Sequence, residues 1–163
     1  MLAYRLATLG QREEFLSILR LEMSDYFERA SRLMEMTWDQ FVELYRSRGQ
    51  VFAVFKDDTL AGYYWVEVRR EVMHLHGIVV LPQFRGLGLG TQMLRKLASD
   101  YPPEVNAIEL GVEDRNVRAK SLYEREGFQT VRFLPDLKFT IMQKPLRDRL
   151  ASPSSEQESA DDG

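Results

Sequence analysis

The chain has 163 residues, 44% of them apolar, enough for one domain with its own core, and no cysteine, which excludes disulfides, thiolate metal sites and cysteine nucleophiles and makes the cytoplasm the expected location. Of its 25 acidic residues, four (Glu156, Glu158, Asp161, Asp162) lie beyond residue 150, where there is no Lys or Arg, so the remainder sets 22 basic against 21 acidic residues and lacks the basic surplus of a nucleic-acid binder. No apolar run is long enough to span a bilayer and no N-terminal signal peptide is visible, so a membrane is not an expected partner either.

Residues 4–7 read as a short strand. Residues 9–29 read as one helix, with Phe15, Ile18, Leu19 and Met23 at helical spacing. Thr37 can cap a second helix over 38–45 that ends near Gly49. Strands follow at 51–55 and 61–68, joined by the polar turn 56–59, and then at 72–81. A glycine-rich loop leads into a helix that reaches about residue 100, where Pro102 and Pro103 stop it. A strand at 108–112, a helix opened by Asn116 and closed by Gly127, and strands at 128–133 and 137–143 complete the order. This alternation implies an α+β domain over 1–146, with a mixed, mostly antiparallel sheet covered by helices. Residues 147–163 are expected to be a disordered acidic tail, since 151–163 holds no aliphatic side chain larger than Ala.

The richest stretch is 80–91, Val-Leu-Pro-Gln-Phe-Arg-Gly-Leu-Gly-Leu-Gly-Thr. A glycine turn between a strand and a helix gathers backbone N–H groups at a helix N-terminus, which suits a pyrophosphate. At Gly86, Gly88 and Gly90 a Cβ would hold phosphates away from those amides, and such turns often need φ > 0. Arg85 adds a fixed cation beside the loop. A nucleotide-hydrolysing P-loop would need Lys and then Ser or Thr after its last glycine, but Thr91 and Gln92 stand there. A dinucleotide fingerprint needs G-x-G-x-x-G, and this loop is G-x-G-x-G. Taken alone, the stretch reads equally as a glycine-rich surface turn.

A second stretch, Asn116-Val-Arg-Ala-Lys-Ser-Leu-Tyr-Glu-Arg-Glu-Gly-Phe128, places Ala119, Leu122 and Tyr123 on one helical face. Arg85-x-x-Gly-x-Gly90 together with N-x-x-A-x-x-L-Y-x-x-x-G-F resembles the GNAT superfamily of N-acetyltransferases over about residues 60–146. The resemblance implies the GNAT fold, with a splayed strand pair (75–80 and 108–112) holding the pantetheine arm of acetyl-CoA, and no metal. It assigns the co-substrate to Ile78, Val79, Val80, Arg85, Gly86, Leu87, Gly88, Leu89, Gly90, Thr91, Asn116 and Tyr123. Backbone groups of Ile78 and Val80 would pair with it, and one N–H aimed at the thioester oxygen is worth roughly 3 kcal/mol in such reactions. Tyr123 would protonate the leaving thiolate; otherwise it is a buried Tyr that only makes a hydrogen bond.

The two histidines form one unit, His74-Leu75-His76. Strand alternation would set both on one face with Ile78 and Val80. Locally this strand resembles arylalkylamine N-acetyltransferases, which implies that His74 and His76 pass the amine's proton out through water. They also read as a polar stripe on a half-solvated strand, or as two metal ligands. Glu67, Glu109 and Glu113 are alternative bases. Tyr26, Phe27, Trp38, Phe41, Tyr45, Tyr63 and Trp65 could wall an acceptor pocket with cation–π character, although any one of them reads as core. The expected function is acetyl transfer to a primary amine of a small molecule. Acetylation of a protein Lys or N-terminus, and a non-catalytic acyl-CoA-binding module, are the alternatives. A homodimer is a further expectation from the resemblance.

Overall fold

A computed structural model describes residues 1–146; the tail expected at 147–163 lies outside the described residues. One sheet contains β1 (Leu2–Leu6), β2 (Gln50–Lys56), β3 (Thr59–Arg69), β4 (Val72–Val80), β5 (Ala107–Glu113), β6 (Gln129–Leu134) and β7 (Phe139–Pro145), in the order β1-β2-β3-β4-β5-β7-β6. Every pairing is antiparallel except β4 with β5. The helices among the described residues are α1 (Leu9–Glu22), α2 (Ser24–Met34), α3 (Trp38–Ser47), α4 (Leu89–Ser99) and α5 (Val117–Arg125). This is the expected α+β class. No helix among the described residues is long and apolar enough to cross a membrane.

Capping explains where α1 and α3 begin. Thr8 and Gln11, and likewise Thr37 and Gln40, exchange side-chain-to-backbone hydrogen bonds of 2.8–3.2 Å. Each such cap contributes about 1 kcal/mol. The single helix read over 9–29 is instead two. The chain turns at Met23 (φ −106°, ψ 18°), although its N–H still reaches the Leu19 carbonyl at 2.9 Å. The two halves serve different partners: Phe15, Leu16 and Leu19 pack on Tyr63, Trp65 and Val79, whereas Ala30 packs with Leu137 and Phe139. One straight helix would not reach both.

Two cores lie on opposite faces of the sheet. Under α4 and α5, Met93, Leu94, Leu97 and Tyr123 meet Leu75, Ile108, Leu110 and Met142. Under α1 and α3, Phe15, Leu19 and Tyr45 meet Val51, Tyr63, Trp65 and Val79. β4 serves both because its pleat is interrupted. Trp65 faces Gly77 and Val66 faces Leu75, so His76 is one residue too many for the ladder, a β-bulge. Before it, Met73 and Leu75 enter the α4 core and the histidines face the other way. After it, Ile78 and Val80 pack on the α4 core and Val79 on the α1 core. The expectation that His74, His76, Ile78 and Val80 share a face is therefore corrected: the extra residue reverses the alternation. Gly77 follows His76 onto the α1 side, where a Cβ would stand 3.1 Å from Leu19 and 3.2 Å from Phe15.

Candidate active site

The parallel ladder between β4 and β5 runs from Val72 opposite Ala107 to Leu75 opposite Leu110, and stops. Among the described residues, β4 past the bulge pairs only with β3, and Gly111–Glu113 of β5 pair only with β7. The sheet is thus split by a wedge of about 120 Å³, lined among others by Gly77, Ile78, Val112, Asn116 and Tyr123. The Leu81 N–H bonds the Ala61 carbonyl at 2.8 Å. By the alternation of an antiparallel ladder, Val79 and Gly77 also turn their main chain to β3, and Ile78 and Val80 turn theirs into the wedge. Val79 therefore does not join them. The Val80 carbonyl is already taken by Arg85 Nε at 3.0 Å, which leaves the Val80 N–H and both groups of Ile78.

The three glycines of the next loop differ. Gly86 and Gly88 both sit at φ +79°, a conformation that strains any residue with a Cβ, and a Cβ on either would meet nothing within 4 Å. Their outer face is open to a ligand. Gly90 is helical, and its Cβ would make only an ordinary 3.5 Å contact with Leu122. Gly88 is the N-cap of α4 and offers no side chain, so the first amides of the helix, Leu89, Gly90 and Thr91 included, have no side-chain acceptor among the described residues. Leu89 buries its side chain in the core and Leu87 exposes its own. Arg85, besides gripping Val80, lies 3.4 Å from Glu22 at the end of α1. Asn116 caps α5 by accepting from the Ala119 N–H at 3.2 Å. Tyr123, about two turns on from the cap, faces the wedge, and burial pushes its pKa up to about 12. Among the described residues its hydroxyl has no hydrogen-bond partner.

Beside the wedge opens a larger cavity of about 350 Å³, which shares Met23, Leu75, His76, Leu110, Gly111 and Phe139 with it. Phe27, Phe41 and Trp65 wall it edge to face, with ring centres 4.4–5.9 Å apart. Tyr26 and Phe139, 4.5 Å apart, close the side toward β7. Gly111 makes room there, since a Cβ would overlap the Phe139 ring. Of the aromatic residues proposed from sequence, Tyr26, Phe27, Phe41 and Trp65 line this cavity. Tyr45 and Tyr63 are core, with their hydroxyls donating to the Arg12 carbonyl and to Glu14. Trp38 borders a separate hollow between α2 and α3.

The polar floor of the cavity joins three strands. His76 Nε2 lies 2.8 Å from Glu67 Oε1 on β3, and His74 Nδ1 lies 3.2 Å from Glu109 Oε2 on β5. The two imidazoles stack nearly parallel (12°) with centres 5.9 Å apart. Burial pushes Glu67 up, but hydrogen bonding to His76 and the nearby Arg69 outweigh it and hold the carboxyl below its usual value. Burial, reinforced by Arg69, lowers the His74 pKa below its ordinary 6.5, against the pull of Glu109. Glu109 also accepts from Gln143 Nε2 at 2.8 Å. Glu113, the third carboxylate considered, is held by Arg29 at 3.2 Å and borders the wedge instead. No group of three or more His, Asp or Glu among the described residues is placed to hold a metal. Sequence reasoning missed Arg48, Arg69, Met36, Phe139 and Ile141, which also line the cavity. Gly49, behind Arg48, was the one available signal.

A model of the acetyltransferase (GNAT) family matches residues 15–128. The chain belongs to that family. As a GNAT protein it is an acetyl-CoA-dependent acetyltransferase, and its fold recurs in solved structures. One is a GNAT family acetyltransferase from Elizabethkingia anophelis with acetyl-CoA bound (15% identity, 89% of this chain and 98% of that one, TM-score 0.68). A second is spermidine N-acetyltransferase from Vibrio cholerae in complex with CoA and spermine (21%, 91% and 98%, TM-score 0.63). A third is the ribosomal-protein-S18-alanine N-acetyltransferase from Escherichia coli (19%, 90% and 94%, TM-score 0.60). At these identities the likeness is one of fold. The cradle of this GNAT chain fits acetyl-CoA on its own evidence: two left-handed glycines with open space over them, an uncapped helix start, and unpaired strand groups beside Tyr123.

Proposed function

We propose that the protein transfers an acetyl group from acetyl-CoA to the primary amine of a small molecule held in the aromatic cavity. The observation that carries this reading is the join between cavity and wedge at His76: an amine in the first meets a thioester in the second. The cavity is walled by α2, α3 and the sheet, which suits a compact acceptor better than an extended peptide. Acetyl-CoA supplies the thioester carbonyl that the amine attacks.

The amides at the start of α4 and Arg85 would hold the pyrophosphate, and the free Ile78 and Val80 groups would fix the pantetheine arm. Tyr123 stays protonated far above neutral pH and can donate to the departing sulfur. With a pKa of about 12 it is a weaker acid than an ordinary thiol, near 8.5, so it stabilises the thiolate mainly as a hydrogen-bond donor.

Proton removal runs the other way. Glu67, kept ionised, accepts from His76 Nε2 and leaves Nδ1 free to take a proton. His76 borders both wedge and cavity, whereas His74 borders both the cavity and the open surface beside Arg69 and Val72. The pair spans the path from the amine to solvent, with the two rings stacked 5.9 Å apart. His74, lowered by burial, is a poor proton store and hands the proton on. The test is thiol release from acetyl-CoA across a panel of amines and peptides. Turnover with small amines is expected; turnover with peptides alone, or acetyl-CoA binding without turnover of any acceptor, overturns the proposal.

A further inference from the structure

Resting on the small-amine reading, we infer that the acceptor carries a carboxylate as well as its amine, and that Arg48 is the residue that selects it. The charges around the cavity are matched except at one point. Glu67 is engaged by His76 and by Arg69 Nε at 3.4 Å. Glu109 is engaged by Gln143 and faces His74. Arg48, an exposed residue at the rim, lines the same cavity and pairs with no carboxylate among the described residues. Its field reaches Glu67, where it helps keep the carboxyl ionised, but the two do not form an ion pair.

The position of Arg48 is built rather than incidental. Its carbonyl accepts the indole N–H of Trp65 at 2.8 Å. The next residue, Gly49, is left-handed (φ +72°) and lies so close to β3 that a Cβ would overlap the Val66 carbonyl and stand 3.0 Å from the Glu67 Cβ. The end of α3 is thereby clamped over Trp65–Glu67, and the Arg48 backbone is fixed at the edge of the aromatic wall, in a cavity that Arg69 also lines. A planar, permanently charged fork of donors at that place matches a carboxylate. The aromatic walls take an apolar body and the His76 end takes the amine, so the complementary ligand is an apolar amino acid rather than a plain amine. A second ammonium, as in a polyamine, would meet two arginines.

The test compares acceptors that differ only at the anion: phenylalanine, tryptophan and leucine against their carboxamides and their decarboxylated amines, scored by kcat/KM for thiol release. The amino acids are expected to exceed both neutral partners by about tenfold or more. In R48Q that ratio falls toward one, mostly through KM, and R48K keeps part of it. Thermal melting of both variants checks that they fold. Carboxamides or plain amines turned over as well as the acids, or an R48Q loss that is equal for all acceptors, overturns the carboxylate while leaving acetylation of small amines intact. Failure of every small amine, with peptides still acetylated, overturns the small-amine reading and this inference together.

Discussion

The wedge and the cavity meet at His76 but are made of different material. The wedge presents mostly main chain: the amides from Gly88 to Thr91, the free groups of Ile78 and Val80, and two glycines whose outer faces are bare. The cavity presents side chains from α2, α3, β3, β4, β5 and β7. Main-chain recognition survives most substitutions and fails when the backbone can no longer adopt its shape. Side-chain recognition changes with each residue. The carrier end should therefore tolerate variation everywhere except at the glycines, Arg85 and Tyr123, and the acceptor end should trade one specificity for another.

The hardest test of that division is Y123F, because Tyr123 is the one side chain on which the wedge depends chemically. A fall in kcat of about a hundredfold is expected, from the range usual for a lost proton donor. The melting temperature should hold, since the hydroxyl has no hydrogen-bond partner among the described residues. Unchanged kcat would reduce Tyr123 to packing. In the unsubstituted protein, kcat should show no alkaline loss through pH 10, because burial holds that hydroxyl near 12.

Replacing His74 and His76 by Gln comes next, with a loss of at most about a hundredfold, the low end of the range for general acid–base groups. The sign of the pH effect follows from burial. A lowered pKa keeps His74 neutral and able to accept a proton at pH 7, and activity falls only as the pH drops below 6.5. H74Q should remove that acidic limb from the kcat profile; a limb that persists unchanged assigns it to another group.

G88A should raise the KM for acetyl-CoA several-fold and cost about 1–2 kcal/mol of stability, the usual penalty for a side chain in the left-handed region. G90A should instead leave stability level or raise it by up to about 1 kcal/mol, as Ala is the better helix former and its Cβ has room. Denaturant melts separate the two. The mildest change is F41A, which should raise the acceptor KM a few-fold and leave the KM for acetyl-CoA alone. If both KM values move together, wedge and cavity are not separable.

The same division decides how much could be read in advance. The carrier end lies in two local runs, 82–91 and 116–128, whose glycines, cap residue and helix start act over a few positions, so they are visible in the chain itself. The succession of strands along the chain was legible for the same reason. The turn at Met23 was not, because no glycine or proline marks it; it arises from two cores that pull α1 and α2 apart. The bulge at His76 had one local mark, Gly77 inside the strand, and it reversed the expected facing of Ile78 and Val80. Arg69 and Phe139 reach the cavity only through tertiary packing, and no spacing in the chain announces them, while Arg48 is marked only by the glycine after it.

The extra residue in β4 has a consequence for length as well as for facing. It shifts the phase of the strand, so that Leu75 and Ile78, three apart, point into the same core. Deleting either residue between them would remove the bulge and restore regular alternation, with Leu75 and Ile78 two places apart and still in the same core. Loss of both would make Leu75 and Ile78 neighbours on opposite faces and drive one flank of the strand through to the wrong side of a sheet that is covered on both. In this segment a single deletion should be tolerated better than a double one.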